Sequence, residues 1–188
     1  MPVHYRWGVI HPWKDIPAGK NPPDVVTAVV EIPGGSRNKY ELDKETGLFR
    51  LDRVLYSAVH YPAEYGLIPQ TLHEDGDPLD ILVYIKEPTF TGCLIDARPI
   101  GVLRMRDRGE PDDKVVAVSV NDPLTGEYTD VAGLPSHYLR EVAHFFGIYK
   151  DLEGKRVEVV DWGNATEARS VIVDCMDRYS RSAHAWRE

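Results

Sequence analysis

Apolar residues alternate with polar ones, or gather in short β-branched runs, along much of the chain. Both patterns predict β-strands, because successive side chains of a strand point to opposite faces of its sheet. Turn sequences that contain Gly or Pro, such as Pro33-Gly34-Gly35, separate several of these segments. The predicted strands are 25–32, 39–43, 47–54, 80–86, 94–105, 114–120 and 155–162. We therefore expect a mainly β protein.

Helical spacing appears in two segments, both near the C-terminus. The first opens at Pro135, a residue well suited to the first helical position, and stops near Gly154. The second opens with Asn164 and Glu167, a cap-like pair three residues apart, and carries an apolar stripe as far as Tyr179. Many strands followed by two late helices predict a closed or partly closed β-barrel packed by helices.

One domain is the simplest interpretation of this pattern. The 188 residues are enough to bury a core, and neither a linker nor an internal repeat divides residues 1–188. Residues 1–23 are rich in Pro, Trp and His and show no steady period. We expect them to form an irregular arm laid over the domain.

Charge and composition exclude several classes of partner. The net charge of −8 argues against nucleic acid or an acidic membrane surface, since both require a basic face. No apolar run is as long as a membrane span, and the N-terminal residues lack the apolar core of a signal peptide. We therefore expect a cytoplasmic protein. Cys93 and Cys175 belong to no CxxC pair, and we interpret both as small buried thiols.

The most informative segment is Asp75-Gly76-Asp77-Pro78-Leu79-Asp80. Gly and Pro make it a turn, so three carboxylates crowd into a small volume and repel one another. A cation would neutralise them, and hard oxygen ligands favour Mg²⁺, Mn²⁺ or Ca²⁺. The run 81–85 that follows predicts a buried strand, which would hold the carboxylates on a rigid element.

Two other interpretations of this segment compete with a catalytic metal site. A calcium-binding EF-hand loop requires Gly at its sixth position and Glu at its twelfth, where this chain has Asp80 and Lys86. The EF-hand is therefore excluded. A solvated acidic turn remains open on these residues alone, because Asp, Gly and Pro are ordinary turn residues.

A second acidic turn, 107–114, also leads into an apolar strand. Two such turns at neighbouring strand ends could converge on several divalent ions. The cationic and phenolic residues around them are Lys39, Arg53, Lys114, Lys150, Tyr61, Tyr65 and Tyr149. Taken alone, each Lys or Arg is more simply interpreted as a solvated surface charge and each Tyr as a ring packed in the core. As a set, these residues fit a site that binds a phosphate group with the help of metal ions.

Longer motifs surround these residues. The segment 75–80 fits the pattern Asp-(Gly/Ser/Asn)-Asp-Pro-(hydrophobic)-Asp, with Tyr65-Gly66-Leu67-Ile68-Pro69 before it and Arg98-Pro99-Ile100-Gly101 and Tyr149-Lys150-Asp151 after it. With these motifs the chain resembles the soluble family I inorganic pyrophosphatases. The resemblance implies an OB-like five-stranded β-barrel flanked by two C-terminal helices. It also implies a single pyrophosphatase domain over 1–188, with 1–15 as an irregular N-terminal arm.

The resemblance implies a role for each candidate site residue. Asp77 would orient and deprotonate the attacking water, with Tyr65 as the second catalytic residue. The metal ligands would be Asp75, Asp80, Asp107, Asp112 and Glu31. The substrate-binding residues would be Lys39, Arg53, Tyr65, Lys114, Tyr149 and Lys150, and the supporting residues would be Glu41, Asp43 and Tyr61.

The resemblance also implies cofactors and partners. The cofactor would be Mg²⁺, with several ions in one site, for which Mn²⁺ or another divalent ion could substitute. Pyrophosphate would be the substrate, phosphate the product and a homohexamer the assembly. In the absence of metal, we expect Asp75, Asp77, Asp80, Asp107 and Asp112 to crowd together with no opposite charge at their centre, so that one or more of them keeps a proton above its ordinary pKa. Rival functions are a metal phosphohydrolase acting on nucleotides or phosphate esters and a non-catalytic OB-like binding module.

Two residues depart from the family pattern. Arg108 stands where many relatives carry an acidic residue, and Glu64 stands where relatives usually have Asn. The first changes the charge beside Asp107, and the second is expected to add a carboxylate beside Tyr65. Neither departure removes a proposed metal ligand.

Overall fold

The computed structural model describes residues 10–185, with side chains described as far as residue 182. Nine strands and two α-helices lie within these residues. The strands are β1 (Val26–Ile32), β2 (Asn38–Leu42), β3 (Phe49–Val54), β4 (Glu64–Leu67), β5 (Asp80–Tyr84), β6 (Leu94–Asp107), β7 (Glu110–Pro111), β8 (Lys114–Ser119) and β9 (Val157–Asn164). The helices are α1 (Ser136–Ile148) and α2 (Ala165–Ala185).

Five of the strands close into a ring. Along this ring β1 pairs with β4, β4 with β5, β5 with β8, β8 with β6, and β6 again with β1. The 14-residue β6 is long enough to pair with β1, β8 and β9 along successive parts of its length. β2 and β3 form a separate antiparallel hairpin. The ring confirms the predicted OB-like five-stranded barrel.

The core divides into two main clusters because alternate residues of a barrel strand face opposite sides. In β5, Ile81 and Val83 belong to the cluster that includes Ile172 of α2. Leu82, between them, belongs to the cluster that includes Phe146 of α1. Both helices therefore pack against the barrel, as predicted, and each covers one apolar face.

Strand β4 and the end of α1 differ from the sequence-based prediction. β4 was not predicted, because it is only four residues long and three of them are buried, so it shows no alternation. Helix α1 ends at Ile148, short of the predicted end near Gly154. A separate 3-10 turn, Asp151–Glu153, follows it, and Gly154 closes that turn at φ 68°. The glycine stops the 3-10 turn and not the α-helix.

The predicted start of α2 is confirmed in detail. The Asn164 side-chain oxygen accepts hydrogen bonds from the backbone N–H groups of Thr166 and Glu167, at 2.9 and 3.1 Å. The Glu167 carboxylate in return accepts one from the Asn164 N–H at 2.9 Å. This reciprocal arrangement is a capping box, which satisfies backbone donors that the first turn of a helix leaves unpaired.

The N-terminal arm is only partly described, since residues 1–9 lie outside the described residues. The part that follows is irregular, and it buries Trp13, which is 3% exposed. Both cysteines are free thiols. Cys175 is buried, as predicted, whereas Cys93 is only partly buried. Within residues 10–185, neither α-helix has the length and apolar character that a membrane span requires.

Candidate active site

An open cleft of about 630 Å³ lies where the two acidic turns meet. The parallel pairing of β5 with β8 creates this meeting, because it places Asp80 opposite Lys114 in register. The antiparallel pairing of β6 with β8 brings Asp107, at the end of β6, to the same edge. The predicted site residues in the cleft lining are Glu31, Lys39, Glu41, Tyr65, Asp75, Asp77, Asp80, Asp107, Asp112, Lys114, Tyr149 and Lys150.

Lys114 lies between carboxylates from both turns. Its side chain is 2% exposed, and its ammonium group donates to Asp80 Oδ2 at 2.5 Å and to Asp112 Oδ1. Burial would lower the pKa of Lys114, but the charges of Asp80 and Asp112 outweigh burial and raise it. The lysine is therefore a fixed positive charge between two carboxylates.

Glu31 is the most deeply buried carboxyl group in the cleft lining. It is 7% exposed, and its Oε1 accepts a hydrogen bond from the Leu42 N–H at 2.7 Å. Burial, with a smaller contribution from the charge of Asp80, raises the pKa of Glu31 to about 8. Glu31 therefore keeps a proton at neutral pH unless a cation binds beside it.

Lys150 and Tyr149 face the second turn. The Lys150 ammonium lies 2.6 Å from Asp107 Oδ2 and 5.1 Å from the centre of the Tyr149 ring. The other oxygen of that carboxylate, Asp107 Oδ1, is buried, and no donor among the described residues bonds to it. A buried carboxylate oxygen without a partner costs free energy of folding. A cation bound beside Asp107 would remove that cost.

Two of the phenols in the cleft lining, Tyr65 and Tyr149, stay protonated. Burial, together with the charges of Asp80 and Asp112, raises the pKa of Tyr65 well above 10.0. Burial and the charges of Asp112 and Asp107 do the same for Tyr149. Both hydroxyl groups can therefore donate hydrogen bonds to an anion in the cleft.

The outer turn carries Asp75 and Asp77. The Asp75 Oδ1 atom accepts a hydrogen bond from the Asp77 N–H at 3.0 Å and lies 3.7 Å from the Nδ1 atom of His73. Burial would raise the pKa of Asp75, but the His73 contact outweighs burial and lowers it. Asp77 forms an ion pair with Lys44, a residue that the sequence did not single out.

The expected crowding of five aspartates with no opposite charge among them is wrong. Lysines reach into the cleft from three separate segments, and each aspartate has a cationic or imidazole partner. Among residues 10–182, whose side chains are described, no group of three or more His, Cys, Asp or Glu side chains is already arranged to hold a metal ion. Burial raises the pKa of Asp113, in the second turn, and that of Glu31, which lies outside both turns.

Comparison with known proteins decides the family. The family model for inorganic pyrophosphatase matches residues 28–180, which is most of the chain. The chain belongs to the inorganic pyrophosphatase family. The match begins after the N-terminal arm and covers every predicted site residue.

Individual relatives agree with this assignment. Soluble inorganic pyrophosphatase 2 of Chlamydomonas reinhardtii is 50% identical over 175 residues, covering 93% of this chain and 91% of the relative. Inorganic pyrophosphatase of Geobacillus stearothermophilus is 54% identical over 156 residues, covering 83% of this chain and 94% of the relative. The crystal structure of inorganic pyrophosphatase from Thermus thermophilus superposes with a TM-score of 0.87 at 41% identity, covering 90% of this chain and 99% of that one.

Three predicted site residues lie outside the described lining of this pyrophosphatase-family cleft. Arg53 Nε donates to Glu153 Oε1 at 2.7 Å, and its guanidinium also pairs with Asp52. Tyr61 is 2% exposed and packs 5.4 Å from the ring of Tyr65. The roles proposed for Arg53 and Tyr61 are therefore not visible in this arrangement.

The third of these residues, Asp43, shapes a turn beside the cleft. Its Oδ1 accepts hydrogen bonds from the N–H groups of Glu45 and Thr46, at 3.1 and 3.0 Å. Its Oδ2 accepts one from Arg50 Nη2 at 2.8 Å. These hydrogen bonds, of which the one from Arg50 has the largest effect, hold the pKa of Asp43 far below its ordinary value of 3.8. Asp43 therefore fixes the turn from which Lys44 extends.

The two departures from the family pattern have different surroundings. Glu64 is 1% exposed, and its carboxylate accepts hydrogen bonds from the N–H groups of Gly34 and Thr89 and from the Thr89 hydroxyl, at 3.1, 3.1 and 2.7 Å. It supports two loops and does not line the cleft. Arg108 does line the cleft, on a backbone with φ 53°, at the tip of the β6–β7 turn.

Sequence reasoning missed Lys44 and Glu153. Both form ion pairs with residues far away in the chain, Lys44 with Asp77 and Glu153 with Arg53. No local pattern reports a contact across such separations. A signal was present only for Lys44, which directly follows the predicted site residue Asp43.

Proposed function

We propose that the protein hydrolyses inorganic pyrophosphate to two orthophosphate ions, assisted by several Mg²⁺ ions bound in the cleft. The observation that carries the proposal is the convergence of both acidic turns on one cleft that also contains Lys39, Lys114 and Lys150. Carboxylates suit divalent cations, and lysines and phenols suit phosphate oxygens. Membership of the family supports the choice of substrate.

The donor chemistry of the residues present fits divalent ions, and binding them requires Asp80, Asp107 and Asp112 to exchange their lysine contacts for contacts with the ions. The donors are oxygens, as Mg²⁺ prefers, and the buried Asp107 Oδ1 lacks a partner among the described residues. The residues proposed to hold the ions are Asp75, Asp80, Asp107, Asp112 and Glu31. When bound, such ions would lower the pKa of a water molecule and neutralise phosphate charge. Mn²⁺ or another divalent ion could substitute for Mg²⁺.

The chain's own groups supply the remaining chemistry. Asp77 accepts a proton from the water that attacks one phosphorus atom. The bond between that phosphorus and the bridging oxygen breaks, and the bridging oxygen leaves with the second phosphate. Lys39, Lys114 and Lys150, together with the hydroxyl groups of Tyr65 and Tyr149, hold phosphate oxygens and offset their growing charge. A contribution from Arg53 would require it to leave Glu153.

Substrate comparison tests this proposal. With Mg²⁺ in excess, we expect fast phosphate release from pyrophosphate and slow release from ATP and from p-nitrophenyl phosphate. The physical reason is that the cleft is lined by charged groups that match a small, highly charged anion. A rate with either organic substrate equal to that with pyrophosphate would contradict the assignment and favour a broader phosphohydrolase.

Two further properties belong to this proposal and rest on the family resemblance and the sequence alone. They are a cytoplasmic location and assembly into a closed, symmetric homohexamer. Light scattering at micromolar concentration tests the assembly, since a monomer would contradict it. Fluorescence imaging of the tagged full chain in its source cells tests the location.

A further inference from the structure

Asp77, the proposed acceptor of the water's proton, lies on an exposed turn. Backbone hydrogen bonds shape that turn, from the His73 N–H to the Asp77 carbonyl at 2.7 Å and from the Gly76 N–H to the His73 carbonyl at 3.2 Å. They fix the backbone but not the side chain, which is 53% exposed. A catalytic base must stand within hydrogen-bonding reach of its proton, so a free rotamer here would lower the rate.

Lys44 reaches this carboxylate from the turn after β2. Its ammonium group forms an ion pair with Asp77 Oδ1 and lies 3.4 Å from the Gly76 carbonyl oxygen. One lysine therefore contacts both the side chain of Asp77 and the backbone of the turn that carries it. Because the ion pair uses Oδ1, the Oδ2 atom can face the attacking water.

The N-terminal arm holds Lys44 in turn. The His11 ring Nε2 lies 3.0 Å from the Lys44 carbonyl oxygen, and the Lys44 ammonium lies 6.0 Å from the centre of the Trp13 ring. Trp13 is anchored on the far side, since its Nε1 donates to the Thr71 carbonyl at 2.7 Å. The Gln70 N–H also donates to the Trp13 carbonyl at 2.9 Å. The arm thus joins Lys44 to the segment just before the acidic turn.

We propose that Lys44 is a positioning residue for Asp77 and that the arm residues His11 and Trp13 hold Lys44 in place. The inference rests on the proposed function, because it acts through the group that takes the water's proton. The Lys44 side chain is 48% exposed, and ion pairs that exposed add little to stability. Its effect is therefore expected on the turnover rate and not on folding.

Kinetics of the magnesium-loaded enzyme give the first test. Lys44→Met should lower kcat by about fivefold or more, with KM for pyrophosphate changed by less than about twofold, because it misplaces the base and not the phosphate ligands. Lys44→Arg, which keeps the positive charge, should restore at least about half of kcat. Lys20→Met is the matched control, since it breaks another exposed ion pair, with Asp96, outside the cleft lining. A wild-type kcat in Lys44→Met overturns the proposal.

A double-mutant cycle tests whether Lys44 acts through Asp77. In the Asp77→Asn background, Lys44→Met should change kcat by less than about twofold, because the group that Lys44 positions has already lost its function. The same fivefold loss in both backgrounds would show that Lys44 acts elsewhere and would overturn the proposal.

A measurement without turnover separates this inference from the proposed function. In metal-free protein labelled with ¹⁵N, Lys44→Met should shift the amide signals of Gly76 and Asp77 and the indole signal of Trp13, whereas Lys20→Met should leave them in place. Unchanged signals in Lys44→Met would overturn the placement of Lys44. Absence of pyrophosphate hydrolysis in the wild type, with these signals shifting as expected, would instead overturn the proposed function.

Discussion

The floor and the rim of the cleft contain the same kind of ion pair in different surroundings. The floor consists of Asp80 and Lys114, the first residues of the parallel strands β5 and β8, with Asp112 just before β8, and its lysine is 2% exposed. The rim consists of Lys44 and Asp77, which stand on turns and are 48% and 53% exposed. Strand register fixes the floor, whereas contacts with the N-terminal arm fix the rim.

Because of this difference, breaking an ion pair of the floor is expected to cost much stability, whereas the rim pair mainly orients a side chain. Breaking a buried ion pair leaves an uncompensated charge and typically costs about 3–5 kcal/mol, whereas an exposed pair contributes about 0–1 kcal/mol. The floor is therefore suited to hold strongly charged ions in a fixed place. The rim can only direct a side chain, which is what a group that handles a water molecule requires.

Removing a floor carboxylate should have the largest effect. We expect Asp80→Ala to lower kcat/KM by roughly 10³-fold or more, because several kcal/mol of charge stabilisation in the transition state would be lost. Phosphate-release kinetics at several Mg²⁺ concentrations measure this. Asp96→Ala, which breaks the exposed pair with Lys20, is the matched control and should retain wild-type kinetics.

Replacing the rim carboxylate should affect the rate without removing the ions. We expect Asp77→Asn to lower kcat by about 10²–10⁴-fold, the usual contribution of a general base, while Mg²⁺ affinity stays near that of the wild type. Calorimetric titration with Mg²⁺ provides the affinities. Equal losses of Mg²⁺ affinity in Asp77→Asn and Asp80→Ala would show that the floor and the rim do not differ in their contribution to metal binding.

Binding of metal should raise stability through the floor. At a Mg²⁺ concentration about 100-fold above the dissociation constant, one site adds roughly 2.7 kcal/mol to the free energy of unfolding. We expect the melting temperature of chelator-treated protein to rise on addition of Mg²⁺, more at pH 8 than at pH 5, because protons compete for the carboxylates. Asp80→Ala should blunt the rise. Ionic strength and protein concentration must be constant in these measurements. A melting temperature that does not change with Mg²⁺ at either pH value would contradict metal binding.

A buried charge outside the cleft lining provides the smallest and most selective test. The side chain of Glu153 is 5% exposed and accepts hydrogen bonds from Arg53 and Lys155, at 2.7 and 2.9 Å. Burial would raise the pKa of Glu153, but the bonds from Lys155 and Arg53 outweigh burial and lower it below 4.5. The stability that this group contributes is therefore present above pH 4.5 and is lost as pH falls through its lowered pKa.

We accordingly expect Glu153→Gln to lower the free energy of unfolding by about 1–2 kcal/mol at pH 7, with a smaller loss at pH 3. Denaturant unfolding at the two pH values measures the loss. Glu158→Gln, on the exposed side of β9, is a control that should change little. An equal loss for Glu153→Gln at both pH values would mean that its ionisation does not stabilise the fold.

Much of the barrel was predictable because strand alternation and turn residues are local signals. The strands 25–32, 80–86 and 114–120 were placed to within two residues, and the capping pair Asn164 and Glu167 marked the start of α2. Strand β4 was missed because its residues are buried on both faces. That the chain forms one domain over 1–188 remains a prediction.

The carboxylates of the candidate site and two of their lysine partners, Lys114 and Lys150, were predictable, but which lysine faces which carboxylate was not. Two acidic turns stand out in a sequence, and strand register then brings them together. The cations that they face come from Lys44, Lys114 and Lys150, and a pairing such as Lys44 with Asp77 depends on tertiary structure alone. For the same reason, the sequence could not show that Arg53 points to Glu153.

Phosphate release from pyrophosphate by chelator-treated protein, measured as Mg²⁺ is added back, tests most directly whether the floor of the cleft binds the activating ions. We expect no release above background without Mg²⁺, a rise to a plateau in the wild type, and no rise in Asp80→Ala over the same range. Release that is independent of Mg²⁺, or an equal rise in Asp80→Ala, would contradict the claim that the floor of this cleft binds the ions that activate pyrophosphate hydrolysis.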